Sequence, residues 1–155
     1  MIKNYNRHFS AFKGEICNLL DLKKDDIFVD LTLGDGGHTQ EALEAGCKVI
    51  SFDVDPESIE RATHFLKDLA SPEVLNSESK PQILFQKSKW IIINTNFTNF
   101  ISELNKHSVS KVDSILVDLG PSQNQVLSDD RGFSFNSEAI LDMRIDPTLA
   151  VTAKD

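Results

Sequence analysis

The sequence is poor in cysteine, has no excess of positive charge, and contains no apolar run of membrane-spanning length. Cys17 and Cys47 stand alone, without C-x-x-C spacing or a second pair. That argues against a disulfide framework or a thiolate zinc site and leaves two reduced, buried thiols as the simpler reading. No stretch approaches the roughly 20 apolar residues of a membrane helix, and the opening MIKNYNRHFSAFKGEI lacks the apolar centre of a signal peptide. Lys and Arg number 16 against 24 Asp and Glu, a net charge of −8, and the small basic groups are Lys23-Lys24 and Lys87-Ser88-Lys89. Strong binding of a phosphate backbone is therefore not expected of this segment by itself. What remains is a 155-residue chain, 40% hydrophobic, of the size of one domain with its own core.

Along the chain, Ile16, Leu19 and Leu20 are spaced for one helical face, and DIFVDLTL from Asp26 is a β-branched run that stops at glycine. TQEALEAG reads as a helix opened near Thr39 and closed by Gly46, and CKVISFD as a second buried strand. Asp55 with Pro56 behind it is an N-cap followed by a proline-started helix, whose inward face is Ile59, Ala62, Leu66 and Leu69. ASPEVLNSESKPQ reads as a surface loop, WIIINTNF as a third strand, NFISELNKH as a helix, and KVDSILVDLG as a fourth strand ending on Asp118 and Gly120. Alternating strands and helices predict an α/β fold with a doubly wound, mainly parallel Rossmann-like sheet, in which ligands bind beyond the carboxyl ends of the strands. Four strands followed by a long aperiodic segment predict an incomplete sheet with an open edge, as in a fragment or an unusually small member.

DLTLGDGGHTQEAL places three glycines in four positions between a strand and a helix. Glycines there allow a tight turn and close approach of a ligand, and the helix start offers free amides and a positive dipole end. The spacing is G-x-G-G, without the third glycine of a dinucleotide fingerprint, so the loop alone stands between a nucleoside-cofactor loop and a merely tight turn. Asp53 closes the second strand 19 residues after Gly34, where an acidic side chain accepts both hydroxyls of a ribose. Phe97 is open between an adenine contact and a core ring, and Asp118 would face the same crevice. His38 has three readings: a polar contact at the helix start, a zinc ligand or a catalytic base. His8, His64 and His107 show no ligand spacing with it, which leaves metal out and favours contact with the cofactor or the loop backbone.

In this order DLTLGDGGHT, FDVDP, ILVDLG, Gln125, RGFSF and LDMRIDP resemble the MraW/RsmH family of S-adenosylmethionine-dependent methyltransferases, over His8 to about Ala150. The resemblance implies a class I methyltransferase fold and transfer to the N4 amine of a cytidine in small-subunit ribosomal RNA, with the RNA or the small subunit as partner. It places cofactor contacts on Gly34, Gly36, Gly37, His38, Asp53, Phe97, Asp118 and Gln125. Asp118 is then the candidate acceptor for the N4 hydrogens, with Ser122 and Gln125 orienting the base. Phe133 or Phe135 is open between the target base and a buried pair, and Arg131 or Arg144 between RNA phosphate and a structural salt bridge.

The chain departs from the family pattern in GPSQNQVL, which keeps Ser122 and Gln125 but loses a serine and a proline, and in HFSAF, which keeps His8. The resemblance divides the chain into a cofactor-binding portion, 1–120, and a substrate-side loop, 121–155, beginning a helical recognition insertion. It implies a cytoplasmic protein in a bacterium or an organellar one in a eukaryote, and leaves a homodimer open. Two rival readings stand beside it: a nicotinamide-dependent oxidoreductase and a silent interaction module.

Overall fold

The computed structural model describes residues 10–155, so His8 lies outside the described residues. Five strands form one parallel sheet: β1 (Ile27–Asp30), β2 (Lys48–Asp53), β3 (Glu73–Asn76), β4 (Trp90–Asn94) and β5 (Ser114–Leu116), in the order β3-β4-β2-β1-β5. Helices α1 (Ile16–Leu19), α2 (Gly37–Glu44), α3 (Pro56–Leu66), α4 (Phe100–Lys106, entered through a 3-10 turn at Phe97–Asn99) and α5 (Gln123–Val126) complete the elements.

Strand pleating sends successive side chains to opposite faces, and each face closes its own core. Phe28, Val49, Trp90 and Ile92 pack on α1, α2 and α3 through Ile16, Ala42, Ala62 and Leu66. Val29, Ile50, Ile91 and Ile93 pack on the other side with Leu104 of α4. Burial on both faces explains why β1, β2 and β4 read as continuous apolar runs.

The expected surface loop ASPEVLNSESKPQ contains a fifth strand. In β3 only Leu75 is buried, because an edge strand needs one inward residue and its ladder with β4, from Glu73 opposite Ile91 to Asn76 opposite Asn94, is made by backbone. The α1 helix is a single turn, with Ile16 buried and Leu19 turned outward at 68% exposure. Helix α2 begins two residues earlier than expected, which brings His38 into its first turn. Leu69 lies beyond the end of α3 and is exposed. The fourth expected strand shortens to Ser114–Leu116, so Asp118 sits just past the strand. No helix or strand follows Val126 among the described residues, and none of their helices is long and apolar enough to cross a membrane.

After β1 the chain adds β2 on one side, passes to β3 at the edge and comes back to β4 between β3 and β2, then crosses to place β5 on the other side of β1. The carboxyl ends of β1 and β5 therefore flank the point where the winding reverses, the place where an open α/β sheet leaves a crevice.

Candidate active site

A cavity of about 750 Å³ occupies that crevice and is lined by strand-end residues of the sheet and by the segment after β5. Among the lining residues are Gly34, His38, Asp53, Phe97, Asp118, Ser122 and Gln125, all expected from the sequence. Gly36 and Gly37 are not brought to it. Gly36 is left-handed (φ 79°), and a Cβ there would stand 3.0 Å from Leu66 Cδ1 and 3.2 Å from Ala62 Cβ. A Cβ on Gly37 would overlap the Ser10 hydroxyl. These two glycines admit protein neighbours, whereas the loop reaches the cavity through Gly34.

Asp53 ends β2 and takes backbone amides on both oxygens, Gly34 N on Oδ2 at 2.9 Å and Asp55 N on Oδ1 at 2.9 Å. Burial pushes its carboxyl up to about 6, against the opposing pull of those two hydrogen bonds. Each oxygen retains a lone pair for a hydroxyl donor. Beneath the loop, Asp30 is fully buried and accepts from Thr32 N (3.2 Å) and Thr39 Oγ1 (2.8 Å). Thr39 spends its proton on Asp30, so Ser51 Oγ donates to Thr39 at 2.8 Å and itself accepts Trp90 Nε1–H at 3.1 Å. This one-way chain, from indole to carboxylate, crosses β4, β2, α2 and β1. Burial raises the Asp30 carboxyl, and the Thr39 hydrogen bond lowers it.

Asp118 is anchored through its backbone N–H, which donates to Thr32 Oγ1 at 2.8 Å, while its side chain stays half exposed. Its Oδ2 lies 3.4 Å from His38 Nε2. Ser122 and Gln125 form a reciprocal cap at the start of α5: Ser122 Oγ accepts Gln125 N (3.2 Å), and Gln125 Oε1 accepts Ser122 N (2.8 Å). Gln125 Nε2 then donates to Asp55 Oδ2 at 2.7 Å. Asp55 is the expected N-cap, accepting Glu57 N at 3.0 Å, and it is also fully buried beneath the segment after β5.

Arg131 joins Asp55 at 2.9 Å and reaches the carbonyls of Arg144 and Ile145. Arg144 forks onto Asp142, with Nε–Oδ1 and Nη2–Oδ2 both 2.7 Å, and that guanidinium holds the Asp142 carboxyl down to about 2. Both arginines thus make structural ion pairs within the segment that follows β5 and its anchor on α3. Gly132 of RGFSF fits where a Cβ would meet the backbone of Ile140 and Asp142, so RGFSF and LDMRIDP are two faces of one packed loop. Phe135 is fully exposed.

Sequence reasoning missed several contributors. Asp35 in the glycine loop pairs with the buried Arg61 (2.8 Å) and accepts Asn124 Nδ2 (2.6 Å), tying the loop to α3 and α5. Thr32 holds Asp118, and Met143, Arg144 and Ile145 supply the far wall. A polar residue inside an apolar strand end, as in DLTLG, was the available signal for Thr32. The wall residues belong to LDMRIDP, which the sequence singles out with Arg144 as a candidate, but nothing in that motif shows that it faces the cavity.

The cavity lining carries the carboxylates of Asp35, Asp53, Asp118, Asp142 and Asp146 against one guanidinium, that of Arg144. Such a lining favours a cationic ligand and opposes a pyrophosphate. No group of three His, Cys, Asp or Glu side chains placed for a metal occurs among the described residues.

The model of the MraW methylase family matches residues 5–155. Relatives named ribosomal RNA small subunit methyltransferase H include those of Ureaplasma urealyticum, 37% identical over 145 residues, and Mycoplasmopsis synoviae, 36% identical over 152 residues. A third, from Oceanobacillus iheyensis, is 34% identical over 149 residues. These alignments cover 92%, 97% and 94% of this chain, but 41%, 45% and 41% of the respective relatives. The chain spans under half the length of the proteins it matches. With its glycine loop, strand-end acids and acidic crevice in the arrangement described, the chain belongs to the MraW methylase family.

Proposed function

We propose that this chain forms the cofactor-binding part of an S-adenosylmethionine-dependent methyltransferase that acts on the N4 amine of a cytidine in small-subunit ribosomal RNA. The observation that carries the reading is the cavity of about 750 Å³ at the strand ends, whose charged lining residues are five aspartates against one arginine. The methyl donor is a sulfonium that also bears an ammonium group, so it fits such a lining where a dinucleotide would not. Bound there, it supplies an electrophilic methyl group.

The chain's own residues do the rest. Asp53 accepts the ribose hydroxyls, Phe97 lies beside the adenine, and Gln125 and Ser122 keep the segment after β5 against the crevice. A cytosine amine is a poor nucleophile because its lone pair is conjugated with the ring. A carboxylate that accepts its hydrogen and then its proton favours the developing tetrahedral nitrogen. Asp118 takes that role, since it stands at the cavity with a half-exposed side chain. Positioning supplies most of the remaining acceleration. The acidic balance of the chain means that the RNA backbone is held by other groups.

The test is calorimetric titration of S-adenosylmethionine into the chain and its Asp53→Ala and Asp118→Ala variants, followed by nucleoside analysis of small ribosomal subunits incubated with both. Saturable heat lost in Asp53→Ala, retained in Asp118→Ala, and N4-methylcytidine absent only with the variants support the reading. Absence of heat from the unaltered chain overturns the reading that this segment forms the cofactor site by itself. Loss of heat in Asp118→Ala moves Asp118 to the donor's amino group.

A further inference from the structure

We infer that His38 is a positioning residue: its Nε2–H donates to Asp118 and sets that carboxylate at the crevice, and the ring does not itself hold the methyl donor. The inference rests on the role proposed for Asp118. A carboxylate only accepts hydrogen bonds, so the 3.4 Å contact between His38 Nε2 and Asp118 Oδ2 requires the proton on Nε2. The other ring nitrogen agrees. Nδ1 is buried without a hydrogen-bond partner, and a buried N–H there would be an unsatisfied donor.

With Nδ1 enclosed and Nε2 committed, the ring has no polar atom to offer a ligand. The His38 side chain is 6% exposed and that of Asp118 53%, so the ring is the fixed partner and the carboxylate the adjustable one. Thr32 already fixes the Asp118 backbone, and His38 removes the remaining side-chain freedom. Among the described residues no donor reaches Asp118 Oδ1, which leaves that oxygen for the substrate amine. A contact of this length in a ligand-free site is of the kind that shortens when substrate arrives.

Nitrogen NMR of the chain labelled on histidine reads the tautomer through long-range N–H couplings. The expected pattern has the proton on Nε2 of His38, with that signal displaced in Asp118→Ala and unmoved by changes at His64. A proton on Nδ1, or a spectrum indifferent to Asp118→Ala, overturns the inference. Glutamine places an amide N–H near the Nε2 position, and asparagine places it near Nδ1. Methyl transfer to small ribosomal subunits should therefore fall about tenfold or more in kcat for His38→Asn and recover most of that loss in His38→Gln, with little change in KM for S-adenosylmethionine. Equal losses in both variants, or a rise in KM instead, overturn it. If the unaltered chain neither binds nor transfers, the functional reading falls, while the tautomer still decides the contact between His38 and Asp118.

Discussion

Gln125 reaches back 70 residues to place its Nε2 2.7 Å from Asp55 Oδ2, on the same oxygen that Arg131 holds at 2.9 Å. One capping aspartate at the start of α3 thereby holds two points of the segment after β5, Gln125 and Arg131. Arg131→Ala leaves a fully buried carboxylate short of its counter-charge, and such losses cost about 3 kcal/mol. Urea denaturation of the variant should show that loss in unfolding free energy. An Arg131 that served RNA phosphate alone would leave stability unchanged.

The Asp53 carboxyl titrates near 6 in the fold against an ordinary 3.8. The folded chain thus binds this proton more tightly than the unfolded chain, so its contribution to stability is complete below about pH 4 and is lost as pH rises through 6. Ribose hydroxyls donating to Asp53 favour the carboxylate, so donor binding should expel the proton. Affinity for S-adenosylmethionine is expected to rise between pH 5 and 7, by at most about tenfold per unit. Calorimetry in buffers of different ionisation enthalpy would register proton release near pH 6, and Asp53→Asn should abolish it.

Thr39→Val removes the middle of the chain that runs from Trp90 to Asp30. The Asp30 carboxylate keeps Thr32 N and the Ser51 hydroxyl keeps Trp90 Nε1, but each loses its bond to Thr39, a cost of about 2 kcal/mol. Trp90 is the single tryptophan and is fully buried, so its emission reports the transition directly. An unfolding midpoint equal to that of the unaltered chain would mean that water replaces the hydroxyl without penalty.

Among the described residues strand β5 pairs with β1 alone; its own Ile115 is 41% exposed, and Val117 and Leu119 just past it are 46% and 73% exposed. An unpaired strand with apolar flanks is a template for association. Ile115→Lys is expected to reduce concentration-dependent self-association in sedimentation velocity, and unchanged association would place the contact elsewhere.

The strands that were legible in the sequence are those buried on both faces. IFVD, KVISFD and WIIIN announce themselves through unbroken apolar runs, while EVLN in β3 does not, because Leu75 alone faces inward and backbone does the pairing. The strand-end acids were legible for a related reason: Asp53 and Asp118 interrupt apolar text at the place where a parallel sheet opens. The ties among Asp35, Arg61 and Asn124 were not, since they join segments up to 89 residues apart and no local pattern encodes them. Arg131 stayed open between RNA phosphate and a structural salt bridge for the same reason; the carboxylate that engages it lies 76 residues earlier.

The sheet order also bears on how the protein is made. β1 leaves the ribosome first among the strands, yet it lies between β2 and β5, and its second neighbour does not exist until residue 116 has been synthesised. Pairings of that sequence separation form slowly, and a chain that emerges amino end first must wait for them. Until β5 docks, one side of β1 is open and Asp118 has not met Thr32 or His38. The crevice is thus the last part of the sheet to come into being, and its far wall, made by Met143, Arg144 and Ile145, follows later still.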